Sequence, residues 1–519
     1  MFKYYIYLLF VIFYIGIIFG QDSQDGKELS MKGLKIDGLK IVNEDGKNIF
    51  IRGVNRPGTE YSCVQHKKIF DGPFDAHSVS EMKNWNINAV RVPLNEDCWL
   101  GTNGPETEYF GDAYRKAIIN WVTLLTHHNL AVIIDLHWTG ANGGKSKAIK
   151  QEIMPNKLNS PRFWKSVAAS FKDNSGVIFD LFNEPYPYDD GKGSKIGWES
   201  PAAWECWRDG VNCGKDVNFE PVGMQGLVDV VREAGASNII LTGGVSYSTS
   251  LTLFNQYAPE DPLNNLGASL HSYDFNKCRS KGCWDRYLKP VLESHVIVAT
   301  ETGQRDCKND YIRDFLTYCD QNNIGYLAWS WLKAGCEGPA LITEYDGHPT
   351  GFGRGYREHL LSIANGEKPF ITDTFDIYND RLTYRFEDFS GNTTVHRFDD
   401  SSVAHEGKYS IYYEPLANAA LYFRCWGCID PSIHKTIELY INGGQQGGQQ
   451  VKIELLHLDE AEQSSKVIQS YQIRDIIDGG EIQANTWVKA VIDLEGLPQD
   501  VVYDGIWVNP TEGDQSPIF

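Results

Sequence analysis

The stretch VIFDLFNEP, residues 177–185, decides the fold of this chain. Its first six residues are apolar apart from Asp180, and it closes on the polar pair Asn183 and Glu184, followed by Pro185. A short apolar run without polar alternation is typical of a strand buried on both faces, as in a parallel sheet covered by helices. We therefore predict a buried parallel strand with polar side chains at its carboxyl end.

Eight runs of this kind follow one another between about Ile49 and Ile363. They are NIFIRGVN (48–55), NAVRVPL (88–94), AVIIDLHW (131–138), VIFDLFNEP (177–185), NIILTGG (238–244), LGASLHSY (266–273), HVIVATE (295–301) and IGYLAWSW (324–331). Longer amphipathic segments, such as residues 112–128 and 161–172, separate them, although residues 246–265 read as loop and short turn. Eight buried strands alternating with helices predict an α/β fold, the (β/α)8 TIM barrel. An open doubly wound sheet is the alternative, and the lack of a Gly-rich phosphate turn after the first strand disfavours it.

The pattern changes near residues 366–373, and beyond them apolar residues alternate with period two. The alternating runs are YSIYYE (409–414), ALYFRCW (420–426), TIELYIN (436–442), VKIELLHL (451–458), WVKAVIDL (487–494) and YDGIWV (503–508). Such runs between Gly, Asn and Asp clusters predict an antiparallel all-β sandwich. We expect a barrel domain over residues 21–365 and a sandwich domain over 374–519.

The N-terminus has the features of an export signal. Lys3 precedes an almost unbroken apolar run from Tyr4 to Phe19, and polar residues follow Gly20. This pattern predicts a signal peptide over residues 1–20, and a retained membrane anchor is the alternative. Because no later segment is apolar and long enough to span a bilayer, we expect a secreted, extracellular protein without membrane contact after cleavage. Asn392-Thr-Thr394 is a glycosylation acceptor pattern.

The eleven cysteines fit an oxidising compartment. Close spacing predicts three local disulfides, Cys206/Cys213, Cys278/Cys283 and Cys425/Cys428, although the last pair could instead belong to a zinc or redox motif. We further propose Cys63/Cys98 and Cys307/Cys336 as loop bridges. Cys319 falls inside a predicted helix and is the expected buried free thiol.

The net charge and the aromatic content of the chain limit the kinds of partner that it can bind. The chain has 48 Lys and Arg against 68 Asp and Glu, a formal charge of −20 that repels phosphate backbones and anionic lipids. We therefore expect no nucleic acid partner. Aromatic residues make up 13% of the chain, and their weakly polar faces suit sugar rings.

Barrel chemistry lies at the carboxyl ends of the strands. The residues found there are Arg91, His137, Trp138, Asn183, Glu184, His271, Tyr273, Glu301, Trp329 and Trp331. Glu184 and Glu301 end the fourth and seventh strands, on opposite sides of the ring, so their carboxyl groups can converge on one glycosidic bond. A carboxyl separation of roughly 5–5.5 Å would make the mechanism retaining.

These motifs resemble a known family. NAVRVP, DLHW, DLFNEP, ASLHSYDF, IVATETG and AWSW occur in this order across residues 36–363. Together they are similar to the catalytic set of glycoside hydrolase family 5, the cellulase-type retaining β-glycanases. The resemblance implies Glu184 as the acid/base and Glu301 as the nucleophile. The sequence has no cofactor signature and no obvious set of metal ligands, and glycoside hydrolysis needs no cofactor, although a structural calcium in the sandwich stays an alternative. Glu184 must then begin protonated and Glu301 ionised.

The resemblance also implies a set of substrate-binding residues. They are Arg91, His137, Asn183, His271, Tyr273 and Trp329. In this family's arrangement Asn183 binds the sugar 2-hydroxyl, Arg91 and Tyr273 flank the nucleophile, and Trp329 stacks under the ring at the cleaved bond. The two histidines hold hydroxyls and tune the acid.

A long insertion at about residues 186–220 carries Trp198, Trp204 and Trp207. Long loops over a barrel usually shape the cleft, so these tryptophans are candidates for sugar stacking, with plain loop packing as the alternative for each. Trp99 and Trp138 are candidate cleft walls, with a structural role as the alternative. RGVNRPGTEY (52–61) and RVPLNEDCWLG (91–101) look most like cellulase-type members. The predicted activity is an endo-β-1,4-glucanase acting on cellulose. A β-mannanase, another β-glucanase and a non-catalytic glycan-binding matrix protein are the alternatives.

The C-terminal region resembles a jelly-roll carbohydrate-binding module, through HEGKYSI, LYINGG, IQANTWVKAVIDL and DGIWV. The aromatic residues that could serve as sugar platforms are Tyr413, Tyr422, Trp426, Trp487 and Trp507, and core packing is the alternative for those inside strands. Such modules usually continue into another strand. The chain stops at Phe519, so either the sandwich lacks an edge strand or the terminal residues form it.

Overall fold

The computed structural model describes residues 28–104, 108–187, 199–367, 375–391, 393–459, 464–498 and 501–519. The predicted signal peptide, Trp198 and the glycosylation acceptor Asn392 lie outside these residues, as does the side chain of Trp426. Within the described ranges no helix is long and apolar enough to cross a membrane.

A short hairpin precedes a closed barrel of eight parallel strands, counted over the described ranges. The hairpin pairs β1 (Lys35–Asp37) with β2 (Lys40–Val42). The barrel strands are β3 (Arg52–Asn55), β4 (Ala89–Asn95), β5 (Ala131–Trp138), β6 (Val177–Asp180), β7 (Ile240–Gly243), β8 (Leu266–Tyr273), β9 (Ile297–Gly303) and β10 (Gly325–Ala328). Each pairs with its sequence neighbour, and β10 closes the ring on β3. The predicted TIM barrel is confirmed, and each strand overlaps its predicted run, with β4 and β9 extending one and two residues beyond it.

Helices cover the outside of the ring. Those of the barrel region are α1 (Ser62–Gln65), α2 (Ala76–Lys83), α3 (Glu96–Leu100), α4 (Asp112–His127), α5 (Ala141–Gly144), α6 (Ser160–Phe171), α7 (Pro201–Asp209), α8 (Met224–Glu233), α9 (Phe254–Tyr257), α10 (Lys281–Leu292), α11 (Asp310–Gln321) and α12 (Gly351–Ala364). Two short strands, β11 (Ile342–Glu344) and β12 (His348–Pro349), form a hairpin before α12. The irregular connection predicted at residues 246–265 is confirmed, since its helix is the single turn α9.

The helices pack on the barrel through apolar stripes of helical spacing. In α4 the buried residues Tyr114, Ile118, Trp121 and Leu125 recur every three or four positions. The lower interior of the barrel is also apolar, with Ile133, Leu241 and other aliphatic side chains packed beneath the β1–β2 hairpin. Because the bottom of the ring is closed by apolar packing, polar side chains inside the barrel collect at the carboxyl ends of its strands.

The C-terminal region is an antiparallel sandwich, as predicted. Its strands are β13 (Glu387–Asp388), β14 (Val395–Asp400), β15 (Ser410–Glu414), β16 (Leu421–Ile429), β17 (Thr436–Asn442), β18 (Val451–Asp459), β19 (Ser464–Gln472), β20 (Trp487–Asp493) and β21 (Tyr503–Pro510), with the one-turn helix α13 (Ile473–Ile476). One layer is a five-stranded sheet in the order β13-β16-β21-β18-β19, and the other contains the pairs β14-β15 and β17-β20.

The terminal residues complete the second layer. Ile518 forms an antiparallel bridge with Tyr413 on β15, and Phe519 exchanges backbone hydrogen bonds with Asn442 on β17. The terminal residues therefore form a strand-like segment, as one of the two possibilities held, but this segment lies between β15 and β17 and not at an edge.

All five proposed disulfides are present among the described residues, and Cys319 is the buried free thiol. The bond between Cys425 and Cys428 agrees with the disulfide prediction for that pair and leaves no thiolate there for a zinc ion. Cys319 lies on the buried face of α11.

Candidate active site

The predicted site residues meet at one end of the barrel. Arg91 lies on β4, His137 on β5, His271 and Tyr273 on β8, and Glu301 on β9, while Trp329 directly follows β10. Asn183 and Glu184 lie in the loop beyond β6, which ends at Asp180. Glu184 therefore lies in a loop and not, as the sequence suggested, at the end of the strand. The chain stops pairing with the neighbouring strands before it reaches the Asn-Glu-Pro triplet.

The two glutamates face each other across the mouth. A carboxylate oxygen of Glu184, one of Glu301 and a ring nitrogen of His271 all lie within 4.8 Å of one another. This spacing is close to the roughly 5–5.5 Å of retaining glycosidases and well below the roughly 6.5–9.5 Å that inverting enzymes need for an intervening water. This geometry suits a reaction in which one carboxylate attacks the anomeric carbon directly. The other carboxyl group protonates the oxygen that leaves that carbon.

Both oxygens of Glu301 are held by neighbouring donors. An Arg91 guanidinium N–H donates to Oε1 at 2.6 Å, and the Tyr273 hydroxyl donates to Oε2 at 2.6 Å. The side chain is only 5% exposed. Charge-assisted contacts of this length fix the carboxylate in one orientation, which a nucleophile requires.

Arg91 is itself held in a buried ring of acceptors. Its guanidinium contacts Asp180 at 3.1 Å, Asp135 at 3.1 Å and the side-chain oxygen of Asn183 at 2.9 Å, besides Glu301. Three carboxylates thus surround one cation that has no exposed side-chain surface. Burial raises the pKa of Asp135 to about 7 and that of Asp180 to about 8, although the positive charge of Arg91 lowers both pKa values.

Asp135 and Asp180 were missed in the sequence. Their signal was present, because each is the one acidic residue inside an otherwise apolar strand run, AVIIDLHW and VIFDLF. A buried carboxylate in such a run needs a cationic partner, and the neighbouring strand supplies Arg91.

Glu184 has the environment of a general acid. Burial raises its pKa to about 7, while the positive charge of Arg91 acts in the opposite direction. Its side chain is 26% exposed, so it remains open to the cleft. Nδ1 of His271 lies 3.0 Å from Oε1 of Glu184. Burial also lowers the pKa of His271 to about 3, so this imidazole is neutral near pH 7 and adds no charge beside the acid.

His137 and Trp329 form one wall of the site. The two rings stack with centroids 5.4 Å apart and planes within 7°. Nδ1 of His137 lies 2.6 Å from a carboxylate oxygen of Asp135, and burial lowers the pKa of His137 to about 4. The His137 imidazole is thus neutral and held in place by Asp135. The half-buried indole of Trp329 presents a flat surface of the kind that sugar rings pack against.

Several tryptophans expected at the cleft belong to the core. Trp99, Trp204 and Trp207 are fully buried, and Trp207 donates its indole N–H to the backbone of Gly243. The reason is the helix that the insertion forms: α7 turns two of these large apolar rings inward, where their burial is worth more than exposure in a loop. Trp331, for which the sequence favours core packing over a sugar contact, is fully buried and contacts Trp85. Trp138 keeps partial exposure beside Tyr61, as a cleft wall would.

An open cavity of about 550 Å³ extends the site beside Glu184. Its lining includes Tyr186, Tyr247, Glu152 and Asp216, and the two tyrosine rings stack at 4.3 Å. The backbone N–H of Tyr247 donates to the carbonyl of Pro185, next to the acid. Neither tyrosine was singled out in the sequence, because the loops that carry them have no recognisable periodicity.

A family model described as Cellulase (glycosyl hydrolase family 5) matches residues 42–335, more than half of the chain. The match contains every predicted site residue.

Individual relatives agree with the family match. The chain is 24% identical over 315 residues to the cellulase CelDZ1 of a Thermoanaerobacterium species, a segment covering 58% of this chain and 70% of that protein. It is 32% identical over 312 residues to endoglucanase 1 of Robillarda sp. strain Y-20, covering 53% of this chain and 70% of the relative. Among solved structures, the β-glucanase SdGluc5_26A from Saccharophagus degradans matches with a TM-score of 0.48 at 18% identity, over 64% of this chain and 94% of that one.

Proposed function

This chain belongs to glycosyl hydrolase family 5, the cellulase family, and on that premise we propose that it is a secreted, retaining endo-β-1,4-glucanase. The observation that carries the retaining mechanism is the pair Glu184 and Glu301, whose carboxylate oxygens lie within 4.8 Å of each other at the mouth of the barrel. The substrate is a β-linked polysaccharide, with cellulose as the first candidate.

In the first half-reaction Glu301 attacks the anomeric carbon. The glycosidic C–O bond breaks as the Glu301–sugar ester forms, and the proton of Glu184 passes to the departing oxygen. Arg91 and Tyr273 hold the attacking carboxylate, so little reorganisation is needed at the moment of attack. The raised pKa of Glu184 supplies the proton near neutral pH.

In the second half-reaction Glu184 changes from acid to base. Ester formation removes the negative charge of Glu301, which favours the carboxylate form of its neighbour. Glu184 then takes a proton from water as that water attacks the anomeric carbon, and Glu301 leaves as a carboxylate. Two displacements restore the original β configuration.

The remaining site residues bind and orient the sugar. Asn183 is held by Arg91 and by Gln151, which accepts from its amide at 2.9 Å, and it faces the 2-hydroxyl in this proposal. Trp329 lies under the ring at the cleaved bond, and His137 and His271 meet neighbouring hydroxyls as neutral imidazoles. The open cavity next to Glu184 gives the departing portion of the chain room on the side of the acid.

Secretion is part of the proposal. The disulfides are stable only in an oxidising environment, and a polymer too large to enter a cell must be cleaved outside it. The apolar run at residues 4–19 provides the export signal.

The test is reducing-sugar release from soluble cellulose, β-mannan, mixed-linkage glucan and β-1,3-glucan. The variants are Glu184→Gln and Glu301→Gln, and the matched control is Glu293→Gln, an exposed glutamate at the end of α10. We expect release from cellulose that is lost in both site variants and kept in the control, with the β-anomer appearing first by proton NMR. Release from mannan alone would reassign the polymer. No release from any polymer, with binding to cellulose intact, would favour the non-catalytic glycan-binding alternative.

A further inference from the structure

Three consecutive residues in the loop after β7 adopt the left-handed backbone conformation. Ser246, Tyr247 and Ser248 have φ values of 57°, 62° and 57°. Residues with a side chain visit this region rarely and as single residues, because Cβ comes too close to the following carbonyl oxygen. Strain of this kind persists only where surrounding contacts fix it, and it collects at functional sites. The contacts of residues 246–248, here called the left-handed turn, therefore indicate what the turn does.

The left-handed turn is fixed within its own loop. The carbonyl of Ser246 accepts from the backbone N–H of Thr249 at 3.2 Å and from the Thr249 hydroxyl at 2.7 Å. The side chain of Ser248 is fully buried and fills the space over Gly243, where an added Cβ would lie only 2.1 Å from the Ser248 Oγ. The turn conformation and the glycine together place the Ser248 hydroxyl at one point.

Two hydrogen bonds join the left-handed turn to the loop of the acid/base. The Ser248 hydroxyl donates to the carbonyl of Asn183 at 2.8 Å, and the backbone N–H of Tyr247 donates to the carbonyl of Pro185 at 3.0 Å. These two carbonyls belong to the residues on either side of Glu184. The peptide units that carry the acid are therefore held on both sides by one turn.

The loop of Glu184 needs this support because it has left the barrel sheet. β6 ends at Asp180, so residues 183–185 lie beyond its ladder. A side chain in Gln151 adds one more donor, to the carbonyl of Glu184 at 3.2 Å. A carboxyl group that delivers a proton to one particular oxygen must be held to within a fraction of an ångström, and backbone that is tied at successive carbonyls provides this.

The left-handed turn also contacts the histidine beside the acid. The carbonyl of Ser248 accepts from the backbone N–H of His271 at 2.8 Å. Nδ1 of His271 in turn lies 3.0 Å from Oε1 of Glu184. Ser248 therefore contacts both the backbone that precedes the acid, through its hydroxyl, and the backbone of the acid's neighbour, through its carbonyl.

We propose that Ser248, held in the left-handed turn, is a positioning residue for the acid/base Glu184. The inference rests on the proposed retaining mechanism, because the acid/base role of Glu184 belongs to that proposal. Ser248 is fully buried, so it acts through the carbonyl of Asn183 and the backbone of His271 and does not touch the sugar. The strained conformation lets one turn direct a hydroxyl and an N–H at two carbonyls that flank the same residue.

The test is Ser248→Ala in the full chain, measured on two substrates. Cellotetraose needs the proton of Glu184, whereas 2,4-dinitrophenyl β-cellobioside releases a phenolate that needs none. We expect kcat/KM to fall about 10- to 100-fold on cellotetraose and less than about threefold on the dinitrophenyl substrate, since a misplaced catalytic group can cost about 100-fold. The second change is small because the side chain of Asn183 keeps Arg91 and Gln151 as partners.

Two further variants separate positioning from general damage. Ser250→Ala removes a second buried hydroxyl of the same loop, one that contacts Thr252 at 3.1 Å and not the loop of the acid. We expect wild-type kcat/KM on both substrates for this control. Gly243→Ala leaves Ser248 in place and pushes its hydroxyl away from the carbonyl of Asn183, so it should reproduce the pattern of Ser248→Ala.

Amide hydrogen exchange gives a readout that does not depend on catalysis. The backbone N–H groups of Asn183 and Tyr186, on either side of the acid, both donate to carbonyls outside their loop. Release of the loop should quicken their exchange about tenfold in Ser248→Ala, the effect of one lost hydrogen bond on local opening. Their exchange should stay at the wild-type rate in Ser250→Ala.

Each result bears on the proposal. Wild-type kcat/KM on cellotetraose in both Ser248→Ala and Gly243→Ala would overturn it, and so would an equal loss in Ser250→Ala. Equal losses on the two substrates would also overturn it, because the damage would then extend beyond proton delivery. If the wild-type chain cleaves neither substrate, faster exchange in Ser248→Ala alone means that the turn holds the loop and the proposed catalysis fails, whereas unchanged exchange overturns the positioning role as well.

Discussion

Raising the pH removes the proton that Glu184 must deliver, and the pKa of Glu184 in this structure sets the pH at which activity should fall. Burial raises the pKa of this carboxyl to about 7 from an ordinary value of 4.5. A group with a raised pKa holds its proton below that value and loses it above, so kcat/KM on cellotetraose should fall along an alkaline limb beginning near pH 7. At pH 9 about 1% of the acid remains protonated, which predicts a loss of about 100-fold. With the ordinary pKa, only about 0.3% would be protonated even at pH 7.

Other buried acids titrate in the same range, so the assay must separate them. Asp135 and Asp180 have pKa values raised by burial to about 7 and about 8, and both contact Arg91 behind the nucleophile. Their ionisation affects attack by Glu301 on any substrate. The proton of Glu184 matters only when the leaving group is poor.

Two substrates make the distinction. Cellotetraose needs a proton on its leaving oxygen, whereas 2,4-dinitrophenyl β-cellobioside releases a stable phenolate without one. We expect a larger alkaline fall in kcat/KM on cellotetraose than on the dinitrophenyl substrate, because only cellotetraose also needs the proton of Glu184. Glu184→Gln should lower kcat/KM on cellotetraose by about 10²–10⁴ and leave the burst of dinitrophenolate largely intact. Equal alkaline limbs on both substrates, with circular dichroism showing a folded chain at pH 9, would refute the assignment of the limb to Glu184.

Three further changes test other parts of the structure. Tyr273→Phe removes a hydrogen bond to the nucleophile worth about 1.5–3 kcal/mol and should lower kcat/KM about 10- to 150-fold without unfolding the chain; a change under threefold would contradict its role. Gly282→Val places a side chain against the carbonyl of Gly427, so limited proteolysis should separate sandwich from barrel while cellotetraose turnover persists; unchanged proteolysis would contradict the tight contact. Opening the Cys63–Cys98 bond by a double serine substitution releases a 35-residue loop and should cost about 3–4 kcal/mol of unfolding free energy, seen as a lower Tm; an unchanged Tm would show that other contacts close this loop.

The domain pattern was readable from the sequence because it depends on local hydrophobic periodicity. Continuous apolar runs identify strands buried on both faces, and alternation identifies strands with one wet face, so both the barrel and the sandwich followed. Disulfides within a few residues of each other were also predictable, since short loops leave few partners. The catalytic motifs were recognisable as an ordered set, with Asn183 and Glu184 directly after an apolar run.

Other features depend on contacts between distant segments. Arg91 and Glu301 are 210 residues apart, and only closure of the ring brings them to 2.6 Å. Ring closure also buries Asp135 and Asp180 against the same guanidinium, and desolvation there changes their pKa values in a way that no local pattern contains.

The same reasoning explains which tryptophans point into the core and which point away from it. Trp204 and Trp207 occupy the inner side of a helix, and Trp507 the outer side of a sheet, although all three lie in segments rich in apolar residues. A side chain's direction follows from the register of its strand or the rotation of its helix, and both are set by what packs against them. The residue types and their order along the chain are thus determined by sequence alone, whereas burial, charge state and neighbours are decided only when the packed structure removes water from some residues and not from others.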